Sequence, residues 1–190
     1  MIKKIGYILV IFMMATALNA ETKKVYYKNG NLKFIRTYKN NILDGRARAY
    51  YKNGKLKTQA SFRNGKLHGM TNGYYISGKL KAEIPMNKGK TDGFEKEFYE
   101  SGQLQSITKY NNGIKIESKK VYYPNGNLKA KIRFNDKGNL DGTTQEYYGN
   151  GNKKFSVRMN NGLVRDGYMY TRSGDRRKMN AEDYDKLGLK

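Results

Sequence analysis

Cysteine and tryptophan are absent from this 190-residue chain, histidine occurs once and proline twice. Without cysteine there is no disulfide, no thiolate nucleophile and no attachment point for an N-terminal lipid. Stability then has to come from hydrogen-bonded backbone and stacked neighbours. Without tryptophan the chain lacks the ring best suited to cation–π capture, which argues against a choline-binding cage array. The single histidine, His68, stands where Asp44 and Asp92 stand in equivalent segments, and reads as a variant turn residue. Acidic residues are scarce as well, 16 against 38 basic ones, for a formal net charge of +22. Such a surplus biases encounters toward phospholipid, lipopolysaccharide, acidic glycan, nucleic acid or an acidic protein, but it does not specify a fold.

A long hydrophobic run occurs only at the start. Lys3 and Lys4 precede the apolar stretch Ile5 to Leu18, and small residues stand at Ala15, Ala17 and Ala20 just before Glu21. This is the layout of a secretory signal peptide over residues 1–20, with Ala20 favoured as the last residue removed and Ala17 second. The run falls short of the ~20 residues that a membrane-spanning helix needs. The expectation is an exported protein, periplasmic, cell-surface or secreted, that keeps nearly all of its positive charge.

Glycine and tyrosine are what the chain has in plenty, and both recur on a fixed period. The doublets Tyr26-Tyr27, Tyr50-Tyr51, Tyr74-Tyr75, Phe98-Tyr99, Tyr122-Tyr123 and Tyr147-Tyr148 are spaced by 24 or 25 residues. A residue that returns in every unit is first of all a structural residue of that unit. Each unit carries two turn signals. The first is Asn29-Gly30, Asn53-Gly54, Ser77-Gly78, Ser101-Gly102, Asn125-Gly126, Asn150-Gly151 and finally Ser173-Gly174; the second is Asn40-Asn41, Asn64-Gly65, Lys88-Gly89, Asn112-Gly113, Lys137-Gly138 and Asn161-Gly162. Asn-Gly between extended segments predicts a type I′ hairpin turn, with positive φ at both central residues. Two turns per unit predict two strands of roughly seven to ten residues.

Alternation within the strand after the first turn separates two faces. Leu32, Phe34 and Tyr38 share one parity, as do Leu56, Ala60 and Phe62, then Leu104 and Tyr110, then Leu128, Ala130, Ile132 and Phe134, then Phe155, Val157 and Met159. The other parity collects Lys33, Lys57, Arg63, Lys81, Lys109, Lys129, Lys131, Arg133, Lys154 and Arg158. No window shows a sustained helical stripe, so the predicted fold is all-β. It is an elongated antiparallel β-meander forming a single twisted sheet, with repeats over residues 21–174 and a cap or tail over residues 175–190.

Gly45, Gly69, Gly93, Gly142 and Gly167 follow the second turn, where a missing Cβ would let an aromatic ring of a neighbouring unit approach the backbone. The fourth unit has Glu117 there, and the fifth and sixth each carry one extra residue. In the tail, Asn180 followed by Glu182 and Asp183 predicts an N-cap and an acidic first helical turn.

Little in the chain reads as chemistry. Asp44, Asp92, Asp141 and Asp166 recur before the late glycine and read as turn formers bonding their own backbone. Asn135 to Gly142 lacks the ligand spacing and terminal Glu of a calcium loop. The expectation is a non-enzyme with no catalytic residue, cofactor or metal.

The pattern Tyr-Tyr-x-Asn-Gly-x-Leu-Lys, followed by an aromatic-x-Asn-Gly-x-Leu-x-Gly segment, resembles the MORN-variant repeat of bacterial proteins labelled as YwqK-family antitoxins of toxin–antitoxin systems. The similarity runs from Val25 to about Gly174. It implies a β-meander scaffold for attachment or protein binding, with a toxin as partner where the antitoxin label applies and membrane association across the wider class. MORN repeats also precede some phosphatidylinositol phosphate kinase domains, but no Gly-rich phosphate loop with its lysine and no kinase-sized domain is present here.

The first functional expectation is therefore a protein partner on the apolar and aromatic side, with Tyr99, Tyr123 and Phe134 as candidate contacts. The second is adhesion or envelope attachment through the basic side to anionic lipid or glycan, with Lys129, Lys131 and Arg133 as candidates. Export argues against nucleic acid, and self-association through the apolar face is left open.

Overall fold

The computed structural model describes residues 20–189. The expected signal segment, save Ala20, lies outside the described residues. Strands run in pairs about the first turn of each unit: β1 (Ala20–Tyr26) with β2 (Leu32–Lys39), β3 (Ile42–Tyr50) with β4 (Leu56–Arg63), and β6 (Gly69–Tyr74) with β7 (Leu80–Asn87). Then come β9 (Gly93–Phe98) with β10 (Leu104–Asn111), β11 (Ile114–Tyr122) with β12 (Leu128–Phe134), β13 (Gly142–Tyr147) with β14 (Lys153–Asn160), and β15 (Leu163–Tyr170) with β16 (Arg176–Lys178). Two-residue segments β5 (Lys66–Leu67) and β8 (Lys90–Thr91) pair only with β4 and β7. The other strands pair antiparallel in chain order, β4 with β6 and β7 with β9 across the short segments, giving one open 16-stranded sheet among the described residues. Where the sequence predicts one longer strand after the second turn, the second and third units have a short piece and a six-residue strand, split around His68 and Asp92.

The two turns differ in every unit but the fifth, which the sequence expectation did not separate. At the second turn both residues are left-handed, as predicted: Asn64 and Gly65 have φ of 50° and 74°, and Asn112 and Gly113 have 51° and 89°. At the first turn only the glycine is left-handed. There Gly54 N–H donates to Tyr51 O at 2.9 Å and Tyr51 N–H to Lys55 O at 2.8 Å. That is a type I turn closed by a bulge glycine, which suits a three-residue connection where type I′ suits two. The extra residue of the fifth unit converts its second turn to the same form, with Gly138 N–H donating to Asn135 O.

Each first turn but the last, at Ser173-Gly174, is flanked by a register shift, as between Val25 and Tyr26 or Val121 and Tyr122. Opposite Val25–Tyr26 stand Phe34 and Leu32, so Lys33 is the extra residue of a bulge. Lys57, Lys81, Gln105, Lys129 and Lys154 occupy the same place in later units.

Directly paired residues share a face, and the registers trace an unbroken row from Phe34 through Ala49, Thr58, Gly73 and Ala82 to Glu97, Ser106, Val121 and Ala130. The row continues through Glu146 and Phe155 to Met169 and Arg177. The apolar face is thus less pure than its strand parity suggests. Ser106 and Thr108 occupy it in the fourth unit, each 3% exposed. The opposite face carries Lys24, Arg48, Lys96, Lys120 and Lys131 in one row, interrupted by Ile35, by Gln59, Asn72 and Glu83 between Arg48 and Lys96, and by Ile107.

Full burial is concentrated at the C-terminal end. Among the described residues the buried apolar cluster is Phe155, Val157, Met159 and Met179, against which Tyr184, Leu187 and Leu189 pack. The tail is the cap: Asn180 starts helix α1 (Ala181–Lys186) by accepting from Asp183 N–H, and the Asp183 carboxylate accepts from Asn180 N–H at 2.9 Å. Arg177 on β16 grips the same carboxylate with two nitrogens at 2.6 and 2.8 Å, fastening helix to sheet.

The late glycines act differently from expectation. Gly45, Gly69, Gly93 and Gly142 have positive φ, and a Cβ at Gly45, Gly93 or Gly142 would meet Thr37, Pro85 or Arg133, not a ring. Gly167 does not share their place. The sixth unit has only a one-residue bulge opposite Arg158–Met159, so Gly167 pairs with Val157, where the first unit has Ala47 opposite Arg36. A Cβ there would lie 2.5 Å from Met179 Sδ and 3.2 Å from Tyr184 Cε1. The cap sits on a glycine that the repeat pattern assigned to another role.

Candidate binding surfaces

The second tyrosine of each doublet ties its unit to the next. Tyr27, Tyr51, Tyr75, Tyr99, Tyr123 and Tyr148 donate their hydroxyls to the carbonyls of Tyr50, Tyr74, Phe98, Tyr122, Tyr147 and Tyr170, at 2.7–2.9 Å. Asparagine amides add parallel rungs from Asn31 to Lys52 O, Asn127 to Gly149 O and Asn152 to Arg172 O. At the second turns Gly65 N–H donates to Leu43 O and Gly113 N–H to Thr91 O, so these turns too bond the preceding unit. Asp44 and Asp141 complete this link by accepting from Asn64 and Asn161 N–H, twenty residues on, instead of bonding their own turns as expected. Asp92 accepts from the Asn87 amide, and Asp166 pairs with Arg158.

Bulge lysines stand over the anchored rings. Lys33, Lys57, Lys81 and Lys129 place Nζ 5.8, 5.7, 5.5 and 5.7 Å from the ring centroids of Tyr27, Tyr51, Tyr75 and Tyr123. Among the described residues none of these four lysines lies within ion-pair distance of a carboxylate. In the sixth unit the equivalent Lys154 instead bonds Glu146 at 2.8 Å, which raises its pKa.

The second surface is a groove of about 430 Å³ on the apolar face of the first units. Phe34, Leu43, Phe62 and Leu67 line it together with the small residues Ala47 and Ala60. Arg36 lies over the Phe34 ring at 4.2 Å, and Thr71 adds a buried hydroxyl without a hydrogen-bond partner. Sequence reasoning placed Phe34, Ala60 and Phe62 on this face but did not single them out. Alanine at inward positions between phenylalanines was the available signal.

None of the candidate residues lines the groove. Tyr99 and Tyr123 are ladder rungs, and the structure brings Lys129 and Tyr123 together although they were expected on opposite sides. Lys131 and Arg133 share a face, with Lys131 paired to Lys120 and Arg133 to Ser118. Phe134 lies opposite Glu117 and bridges to Leu140, away from the groove.

Farther along the apolar face, in the fourth unit, lies a polar patch. Ser106 donates to Glu97 at 2.6 Å, and burial together with a hydrogen bond to Glu95 pushes the Tyr110 phenol up to about 12. Groups of His, Cys, Asp and Glu able to hold a metal ion do not occur among the described residues, and no described helix is long and apolar enough to cross a membrane.

Comparison with known proteins adds the following. The MORN repeat variant matches at residues 22–40, 43–64, 92–112 and 119–136. A search of curated proteins finds no match. The crystal structure of the GtfA/B complex bound to UDP and GlcNAc aligns with 15% identity and a TM-score of 0.27. The alignment covers 64% of this chain and 26% of that one, so this chain spans about a quarter of its length. Taken with one open sheet built on a recurring two-strand unit, the four matched stretches support reading this sheet as an array of MORN-type repeats.

Proposed function

We propose that the protein is a non-enzymatic, exported repeat scaffold that holds a protein partner against its apolar face. The observation that carries this reading is the unequal covering of that face. At the C-terminal end the chain covers it with its own Met179, Tyr184, Leu187 and Leu189. Over the first units the equivalent positions form the groove between Phe34 and Phe62. An apolar patch of this kind marks an interface in soluble proteins, and the hydrogen-bonded ladder behind it supplies a preorganised platform. Export rests on the basic and apolar layout of the first twenty residues, and β1 begins at Ala20, so removal through that residue would leave the strand from Glu21 onward. A toxin as the partner would fit the YwqK-family resemblance.

The test is Ala60→Arg, which fills the groove floor and leaves every ladder bond in place. A partner retained by the parent protein is expected to be lost by the variant, and its retention is expected to persist when salt rises. Equal retention by an Ala60→Arg protein with unchanged circular dichroism would remove the groove as the contact.

A second reading is favoured by the lysine row over the tyrosine ladder: attachment to an anionic surface through that row. Its binding is expected to weaken steeply with salt, in contrast to the groove.

A further inference from the structure

The lysine row has a period. Lys33, Lys57, Lys81 and Lys129 occupy the same bulge position in their units, on β2, β4, β7 and β12, and Gln105 holds that place on β10. Successive positions are two strands apart, which is about 10 Å across the sheet. Each ammonium is steadied by a ring whose own hydroxyl is fastened to the next unit, so the spacing belongs to the sheet and not to the flexible side chains. With no carboxylate beside them among the described residues, these are positive charges held at a set interval.

We propose that the row binds a linear acidic polysaccharide carrying one carboxylate for every two sugars, laid across the strands with one carboxylate to a unit. The proposal rests on the anionic-surface reading above and names its ligand class. A fluid lipid surface has no fixed charge period, so it gains nothing from a regular row. A single nucleic-acid strand presents a phosphate about every 3.4 Å in duplex geometry, leaving most of its charge unmatched by one cation per unit. A stiff polymer with sparse charge matches the row, and because the lysines are already ordered it binds with little loss of side-chain freedom.

Gln105 makes the idea testable by gain of function. The full chain and its Gln105→Lys, Lys57→Gln and Asn160→Lys variants, each verified by circular dichroism, are offered hyaluronan oligosaccharides, polygalacturonate, phosphatidylglycerol vesicles and oligo(dT). Gln105→Lys completes the row, whereas Asn160→Lys adds the same charge on an exposed position outside it. The expected result is that hyaluronan, with its carboxylate on alternate sugars, is preferred at equal carboxylate concentration. Gln105→Lys should tighten that binding about fivefold and Lys57→Gln weaken it by a similar factor, with Asn160→Lys changing it less than about twofold. Equal effects of the two added lysines, or preference for polygalacturonate, vesicles or oligo(dT), would overturn the polysaccharide assignment while leaving the anionic-surface reading standing. Absence of binding to all four probes would remove both.

Discussion

The Tyr51 hydroxyl donates to the Tyr74 carbonyl, 23 residues away, at 2.7 Å. The doublet is thereby divided in function: its first residue offers a carbonyl to the unit before, and its second sends a phenol to the unit after. A hydrogen bond of this kind, repeated from Tyr27 to Tyr148, couples neighbours in an array whose stability is a sum of unit and interface contributions.

Tyr51→Phe keeps the ring and removes the donor, leaving the Tyr74 carbonyl without its partner. Denaturant unfolding should show a loss of about 1 kcal/mol, and Tyr51→Ala a larger one because packing and the cation–π contact with Lys57 go as well. An unchanged midpoint for Tyr51→Phe would mean that the ladder is geometry without energy.

Gly167→Ala should unseat the C-terminal helix. Its Cβ would meet Met179 Sδ at 2.5 Å and Val157 Cγ2 at 3.1 Å, and no positive φ contributes to the effect. Hydrogen exchange over residues 179–189 is expected to accelerate while β2 to β7 keep their protection. Unaltered exchange in that tail would contradict the seat described for the helix.

Lys88→Asn should stabilise the protein. Lys88 has φ of 49° at the second turn of the third unit, where the second and fourth units have asparagine at 50° and 51°. Asparagine tolerates the left-handed region at less cost than lysine, so a gain of about 0.5–1 kcal/mol is expected in thermal unfolding. A lower melting temperature would show that the Lys88 side chain contributes more than its backbone strain removes.

Acid should loosen the cap before the rest of the sheet. The Arg177 guanidinium and then the Asn180 N–H hold the Asp183 carboxyl well below its ordinary 3.8. A depressed carboxyl contributes stability that is present above the unfolded value and is lost as pH falls from there toward the folded one. The NMR signal of the Met179 methyl group should move toward its unfolded position as pH drops below about 4, and Asp183→Asn should flatten that change while weakening the cap at neutral pH. A titration curve identical in the variant would assign the acid effect to another group.

Much of this architecture was legible in the residues. The tyrosine period and the paired turn signals fix two strands per unit, inward parity puts Phe155, Val157 and Met159 on one side, and Asn180 announces the helix start. The turn type at Asn53-Gly54 was not legible from the dipeptide, because Asn-Gly serves both turn forms and the number of connecting residues decides between them. Lys57 and its equivalents looked like ordinary outward strand positions, since a bulge shows itself only when both strands are in register. Gly167 resembled Gly45 by local context, but a shorter bulge moves it onto the row of Ala47. Of the candidate contacts, Tyr99 and Tyr123 carried a structural signal, their recurrence, which is now explained by the ladder. The groove lay hidden because alanines mark a floor only once the phenylalanines beside them are placed.

The account turns on the apolar face of the first units being the side that meets a partner, and neighbouring residues of β4 test this directly. Phe62 lines the groove, and Ser61, pairing with Arg46, points to the opposite face. A photo-crosslinking phenylalanine analogue placed at each position in turn, in cells that produce the protein, should yield a discrete protein adduct from position 62 and none from position 61. Adducts from 61 alone, or equal adducts from both, would contradict it.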